Sequence, residues 1–99
     1  MPLIEVTVQH GRTVDEARRR LETAVDEISR RFGAVVRRVD WAQDRNRVML
    51  TGVGFWVEMQ LDDRAVHVKA DVAGLGSLLG APLASGLKQI VEQTFRKLP

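Results

Sequence analysis

Apolar residues recur along the chain at two different spacings, one typical of strands and one typical of helices. The strand-like spacing comes first. Residues 3–8 alternate apolar and polar side chains, which is the two-residue period of a half-buried strand. Short β-branched runs return after residue 34, at 35–41, 47–51, 53–61 and 64–72. Polar residues at 44–46 and at 62–63 separate these runs, so we predict an antiparallel meander.

The junction Gly52-Val53-Gly54 allows two interpretations. It is either a turn between two strands or a bulge in one bent strand. By alternation Val53 falls on the same core-facing side as Phe55 and Val57.

Helical spacing occupies the segment between the first strand and the meander. Thr13 followed by Glu16 fits a capping box, in which each side chain satisfies an unpaired amide of the first turn. Apolar residues then recur at spacings of three and four as far as Phe32. We predict a helix that Gly33 ends in a left-handed conformation.

A second helix is predicted to begin at Pro82, because the preset φ of proline and its missing amide suit the first helical position. The element order is then β-α-β-β-β-β-α. We predict a single α+β domain over residues 1–99, in which a four- or five-stranded antiparallel sheet carries both helices on one face.

Composition excludes several function classes. The chain is 44% hydrophobic and 28% charged, which is typical of a globular domain, and it has a net charge of +2. It contains no cysteine and two histidines, so thiolate chemistry and histidine-rich metal sites are excluded and we expect no metal and no cofactor. The first residues reach Glu5 without the features of a secretory signal, and we expect a cytoplasmic protein.

Residues 72–87 form a segment without any charge. Its glycines Gly74, Gly76 and Gly80 fit neither nucleotide-binding spacing, so we interpret them as linker glycines rather than a phosphate loop. Its leucines Leu75, Leu78 and Leu79 either cover the end of the core or form an exposed apolar contact surface.

Basic residues suggest an alternative contact through Arg18, Arg19, Arg37 and Arg38. Acidic residues at i,i+4 spacing accompany the arginines of the first helix, among them the pairs Asp15 with Arg19 and Glu27 with Arg31. A solvated, self-neutralised helix is therefore favoured over a nucleic-acid groove.

No catalytic constellation is found, so we expect a protein that is not an enzyme. His67, Lys69 and Asp71 share the polar face of one predicted strand, where an outer sheet surface accounts for them without a nucleophile. His10 follows the first strand, where capping a turn or hydrogen bonding is the expected role.

In its layout the chain resembles the polyhydroxyalkanoic acid system family, small bacterial proteins usually found in gene neighbourhoods for storage-polyester granules. The matching features appear in this order: His10-Gly11, Ala17-Arg18, Trp41, Gly52-Val53-Gly54, Val66-His67-Val68, Leu75-Gly76 and Leu78-Leu79. The strand order is also similar to the TATA-binding-protein-like and helix-grip arrangements, which concern architecture and not function. The family supplies no catalytic residues.

The resemblance implies association with polyester granules or their metabolism. Our first hypothesis is a non-enzymatic accessory protein that contacts the granule surface or a granule-associated protein through Leu75, Leu78 and Leu79. Two alternatives stay open: an RNA- or ribosome-binding module, and a helix-grip cavity for an acyl ligand lined by Phe55, Val57 and Ile90. A homo-oligomer is a further open alternative, and no transmembrane segment is expected.

Overall fold

A computed structural model describes residues 3–72, 74 and 76–96, with the side chains of 4–72, 74 and 81–95. The elements are β1 (Leu3–Gln9), α1 (Val14–Arg31), β2 (Val36–Trp41), β3 (Arg47–Gly52), β4 (Phe55–Leu61), β5 (Ala65–Asp71) and α2 (Gly76–Arg96). The predicted order β-α-β-β-β-β-α is confirmed.

One five-stranded antiparallel sheet forms the centre of the fold, in the order β1-β5-β4-β3-β2. The four later strands follow one another as a meander. Strand β1 adds to the sheet beside β5, where Val6 lies opposite Val68. Strands β1 and β2 therefore form the two edges. The radius of gyration of 12.7 Å agrees with the roughly 13 Å expected for a compact domain of this length.

The hydrophobic core lies between one face of the sheet and the two helices, which contact each other. Helix α1 contributes Leu21 and Ile28, and α2 contributes Leu83, Leu87 and Phe95, all nearly inaccessible to solvent. Alternate residues of β3, β4 and β5 fill the opposite side, because successive side chains of a strand point to opposite faces.

Helix α1 begins where the sequence predicts and ends differently. The Thr13 hydroxyl accepts a hydrogen bond from the Glu16 amide at 3.2 Å. The Glu16 carboxylate pairs with Arg12 rather than completing the capping box. The prediction of a left-handed Gly33 was wrong. The helix ends at Arg31 and Phe32 caps it, with a carbonyl that accepts the amides of Val35 and Val36, so the turn after the helix needs no positive φ.

Helix α2 begins at Gly76, six residues before the predicted start, and Pro82 lies inside it. The fixed φ of proline is compatible with a helix, but inside a helix the missing amide removes one hydrogen bond and the ring crowds the carbonyl four residues earlier. Gly76 and Gly80 are consequently helical residues and not linker glycines, which corrects that interpretation.

The junction between β3 and β4 is a two-residue turn. Gly52 and Phe55 face each other as the last pair of the two strands, and Gly54 has a φ of +89°. Val53 stands at the tip with 75% of its surface exposed, so its placement on the core face was wrong. Val53 belongs to the turn and to neither strand, so the alternation of inward and outward side chains along β4 does not extend to it.

Candidate functional site

Uncharged residues are exposed in the first half of α2, at the positions whose side chains are described. Of the described exposed residues in the first half of the helix, Ala81, Pro82 and Ser85 carry no charge, and Lys88 is the first charged residue of α2. We call Ala81, Pro82 and Ser85 the neutral face of α2. Beneath it, Leu83 and Leu87 are buried in the core and hold the helix in place.

The Val53 turn lies beside the segment that leads into α2. A Cβ atom placed on Gly54 would come within 2.6 Å of the Gly74 carbonyl oxygen, so the two backbones are in direct contact. Gly74 precedes the first residue of α2 by two positions. The most exposed large hydrophobic side chain among the described residues, Val53, is thereby fixed near the end of the molecule where the charge-free helix begins.

The predicted contact residues Leu75, Leu78 and Leu79 fall outside this description. Leu75 is not among the described residues, and for Leu78 and Leu79 only the helical backbone is described. Sequence analysis missed Val53, although a glycine at the third of four residues, as Gly54 is in 52–55, is a β-turn signal.

The predicted basic contact residues lie on two different elements. Arg18, on α1, donates to Asp15 at 2.8 Å and to the Asn46 side chain at 3.0 Å. Arg38, on β2, pairs with Asp40 at 2.8 Å. Arg19 and Arg37 are exposed, and neither has an ion pair within the described part of the chain.

Charge pairing on α1 follows a different pattern from the predicted one. Of the two i,i+4 pairs named above, Glu27 with Arg31 forms at 3.6 Å. Glu27 also pairs with Arg30, three residues away. The prediction that Asp15 pairs with Arg19 was wrong, because Asp15 reaches Arg18 one residue earlier, at i,i+3 spacing.

Both histidines converge on Asp62 in the turn between β4 and β5. His10 is 5% exposed; its Nδ1 accepts the Arg12 amide at 3.0 Å and its Nε2 donates to the Asp62 carbonyl oxygen at 3.0 Å. The expected hydrogen-bonding role of His10 is thus confirmed. His67 Nε2 lies 2.8 Å from Asp62 Oδ2, and its Nδ1 lies 3.3 Å from the Thr7 hydroxyl.

The Asp62 carboxylate also holds the turn itself. Its Oδ1 accepts the amides of Arg64 at 2.8 Å and Ala65 at 2.7 Å. The Arg64 amide first, then His67 and the Ala65 amide, stabilise the charged form and lower the pKa of Asp62 from its ordinary 3.8 to about 2.

The Thr7–His67–Asp62 chain lies on the sheet face opposite the helices, where Lys69 faces Glu58 and His67 faces Gln60. The register agrees with the predicted polar outer surface. His67 pairs with Asp62 across the turn rather than with Asp71, and its side chain is 44% exposed. These bonds join β1, β5 and the turn, which is a structural function.

A groove of about 330 Å³ lies between the two helices and is open to solvent. Arg20, Glu27 and Arg31 of α1 and Gln93 and Thr94 of α2 line it together with Ile90. Phe55 and Val57, which were predicted to line an acyl cavity with Ile90, are packed in the core. The groove therefore presents mainly polar groups between helix and helix, not an apolar space between helix and sheet.

The described part of the chain contains no group of three or more histidine, aspartate and glutamate side chains placed to bind a metal. None of its helices combines the length and the apolar character needed to cross a bilayer.

Comparison with protein families supplies the biological context. Residues 4–98 match the family model described as "putative polyhydroxyalkanoic acid system protein". The chain belongs to this family. The match covers nearly the whole fold, from β1 through α2, and confirms the resemblance that the order of short motifs indicated. No curated protein matches the chain.

Proposed function

We propose that this family member is a non-enzymatic accessory protein of polyester storage granules, which adheres to the granule surface through Val53 and the neutral face of α2. Family membership supports the granule context. One observation carries the choice of surface: an exposed valine is anchored by Gly54 and Gly74 beside a helix start that has no charge.

The physical argument concerns desolvation. A charged side chain pressed against an apolar polymer loses its hydration, whereas an uncharged surface does not incur that cost. Burial of apolar area stabilises contact by about 25 cal/mol per Å². Val53 and the small residues of the neutral face can therefore approach a polyester surface closely, and the expected adhesion is weak and reversible.

The orientation of α2 suits this contact. Leu83, Leu87 and Ile90 fix the opposite side of the helix in the core, so that binding does not require the domain to open. Lys88 and Gln89 are exposed one turn beyond Ser85, and they mark the polar boundary of the contact surface.

Partitioning onto particles of polyhydroxybutyrate tests the proposal. The double variant Val53→Glu/Ala81→Glu adds two carboxylates to the proposed surface at exposed positions. The matched control Gln43→Glu/Gln9→Glu adds two carboxylates at exposed positions outside it, one in the loop between β2 and β3 and one at the end of β1. Circular dichroism and thermal unfolding establish that both variants fold like the wild-type chain.

We expect the wild-type chain and the control to sediment with the particles, and the surface double variant to bind them with at least about tenfold lower affinity, which corresponds to roughly 1.4 kcal/mol. Equal binding by both variants would refute the assignment of the surface. Failure of the wild-type chain to bind would refute granule adhesion itself.

A further inference from the structure

Strand β2 forms one edge of the sheet and has no second neighbouring strand within the described residues. It lies at the end of the strand order and pairs with β3. The Ala42 amide donates to the Arg47 carbonyl oxygen at 2.8 Å, in register with the β2–β3 ladder. Since backbone groups alternate in direction along a strand, those of Arg38 and Asp40 point to β3, and those of Val39 and Trp41 point outward from the sheet.

The side chains along this edge are self-complementary. Arg38 and Asp40 stand on the same face of β2, with Arg38 Nε 2.8 Å from Asp40 Oδ2. Val39 lies between them on the opposite face and is 37% exposed, although it is a large hydrophobic residue on the side of the sheet that carries the core. Along β2, Arg38 thus provides a positive group, Val39 an outward-facing backbone amide and carbonyl, and Asp40 a negative group.

We propose that two copies of the chain pair edge to edge through β2, antiparallel, around a twofold axis at Val39. Each Arg38 then faces the partner's Asp40, and the outward amide and carbonyl of Val39 exchange hydrogen bonds with the same groups of the second copy. The two sheets join into one sheet of ten strands, and the interface is isologous as twofold symmetry requires.

Charge selects this register over its neighbours. A shift that centres the axis on Asp40 places two carboxylates opposite each other, and a shift that centres it on Arg38 places two guanidinium groups opposite each other. Like charges directly opposite across strands are destabilising, whereas opposite charges stabilise the pair. The irregular register between Val36 and Arg38 limits the regular pairing to the segment around Val39.

The other sheet edge lacks this property. Antiparallel pairing of β1 with itself around Val6 would place Glu5 opposite Thr7, without any pair of opposite charges. Val39 is also more exposed than Ile4 or Val6, which are only partly accessible and pack against the core. Charge complementarity therefore favours β2 as the edge that receives a second copy.

A charge-swap experiment on the full chain tests this interface, with mass measured by light scattering after size-exclusion chromatography over a series of concentrations. We expect the wild-type chain to approach twice its 11.1 kDa as concentration rises. Arg38→Asp places carboxylates opposite carboxylates and Asp40→Arg places guanidinium groups opposite guanidinium groups, so each variant alone is expected to stay monomeric. An equimolar mixture restores both opposite-charge contacts and is expected to regain the mass of the dimer.

Restoration in the mixture excludes misfolding as the reason for the loss in the single variants. A wild-type chain that stays monomeric at all concentrations would overturn the proposal. A dimer that persists in both single variants would also overturn it, because that dimer would use another surface. Folded single variants whose mixture stays monomeric would refute the register.

Discussion

At the scale of single residues, Asp62 links its own turn to β5 and to the end of β1 through hydrogen bonds. Its carboxylate accepts hydrogen bonds from two backbone amides of its own turn and contacts His67, and its carbonyl accepts from His10 at the end of β1. The sequence predicts the turn at Asp62 and a hydrogen-bonding role for His10. It does not predict that the two meet, because 52 residues separate them and only the pairing of β1 with β5 brings them together.

The lowered pKa of Asp62 predicts a component of acid unfolding. A carboxylate whose pKa is lower in the folded state than in the unfolded state stabilises the fold above its ordinary pKa. That stabilisation is lost as the pH falls from about 4 toward the folded value of about 2. We expect the urea midpoint of the wild-type chain to fall across this window.

The comparison variant is Asp62→Asn, which removes the ionisable group and should unfold more easily near neutral pH than the wild-type chain. The difference between the two midpoints should shrink as the pH approaches 2. Asp63→Asn removes the neighbouring carboxylate, which makes none of these hydrogen bonds, and should track the wild-type chain. A constant difference between wild type and Asp62→Asn at all pH values would contradict this assignment.

At the scale of elements, the sequence predicts every strand and helix, but it gives the wrong end for α1, leaves the β3–β4 junction undecided and starts α2 too late. Alternation and three-four spacing are local properties, so β1, α1 and the meander follow from them directly. The Val53 turn meets the segment before α2 through the contact between Gly54 and Gly74, which are far apart in sequence. Val53 stands at the tip of that turn, where the alternation is interrupted, and the sequence alone therefore misplaced it.

Gly54→Ala tests the junction between the β3–β4 turn and the segment before α2. Gly54 has a φ of +89° and its added Cβ would lie 2.6 Å from the Gly74 carbonyl oxygen. Gly11 has a φ of +59° with open space around the same atom, so Gly11→Ala isolates the conformational cost. We expect losses in the free energy of unfolding of about 1 kcal/mol for Gly11→Ala and about 2 to 4 kcal/mol for Gly54→Ala. Equal losses in chemical denaturation would show that the glycine contact is not formed.

Pro82→Ala distinguishes the predicted start of α2 from the observed one. Inside a helix, proline is about 3 kcal/mol less favourable than alanine. Proline also lowers the conformational entropy of the unfolded chain, which offsets up to roughly 1 kcal/mol of this cost. Since Pro82 is exposed and six residues into α2, we expect the substitution to stabilise the protein by about 2 kcal/mol. An unchanged or lowered free energy of unfolding would instead fit a helix that begins at Pro82.

At the scale of the whole molecule, charge is unevenly distributed although the net value is only +2. Arg18, Arg30 and Arg31 are paired along α1, Arg38 is paired on β2, and Arg47 pairs with Glu58 on the sheet. The neutral face of α2 carries none of these charges. Arg19 and Arg37 are exposed without an ion pair in the described part of the chain, but they lie on two different elements. Because nucleic-acid affinity comes largely from unpaired cations that release counterions, this distribution favours an apolar partner over a polyanion.

The salt dependence of adhesion by the wild-type chain is the most direct test of this account. Apolar contact is maintained or strengthened by sodium sulfate, whereas electrostatic adsorption weakens as ionic strength rises. The measurement is the fraction of wild-type protein that sediments with polyhydroxybutyrate particles as sodium sulfate is increased. We predict that the bound fraction stays constant or rises. Absence of binding at every salt concentration, or a bound fraction that falls steeply with salt, would contradict adhesion through the uncharged surface of Val53 and α2.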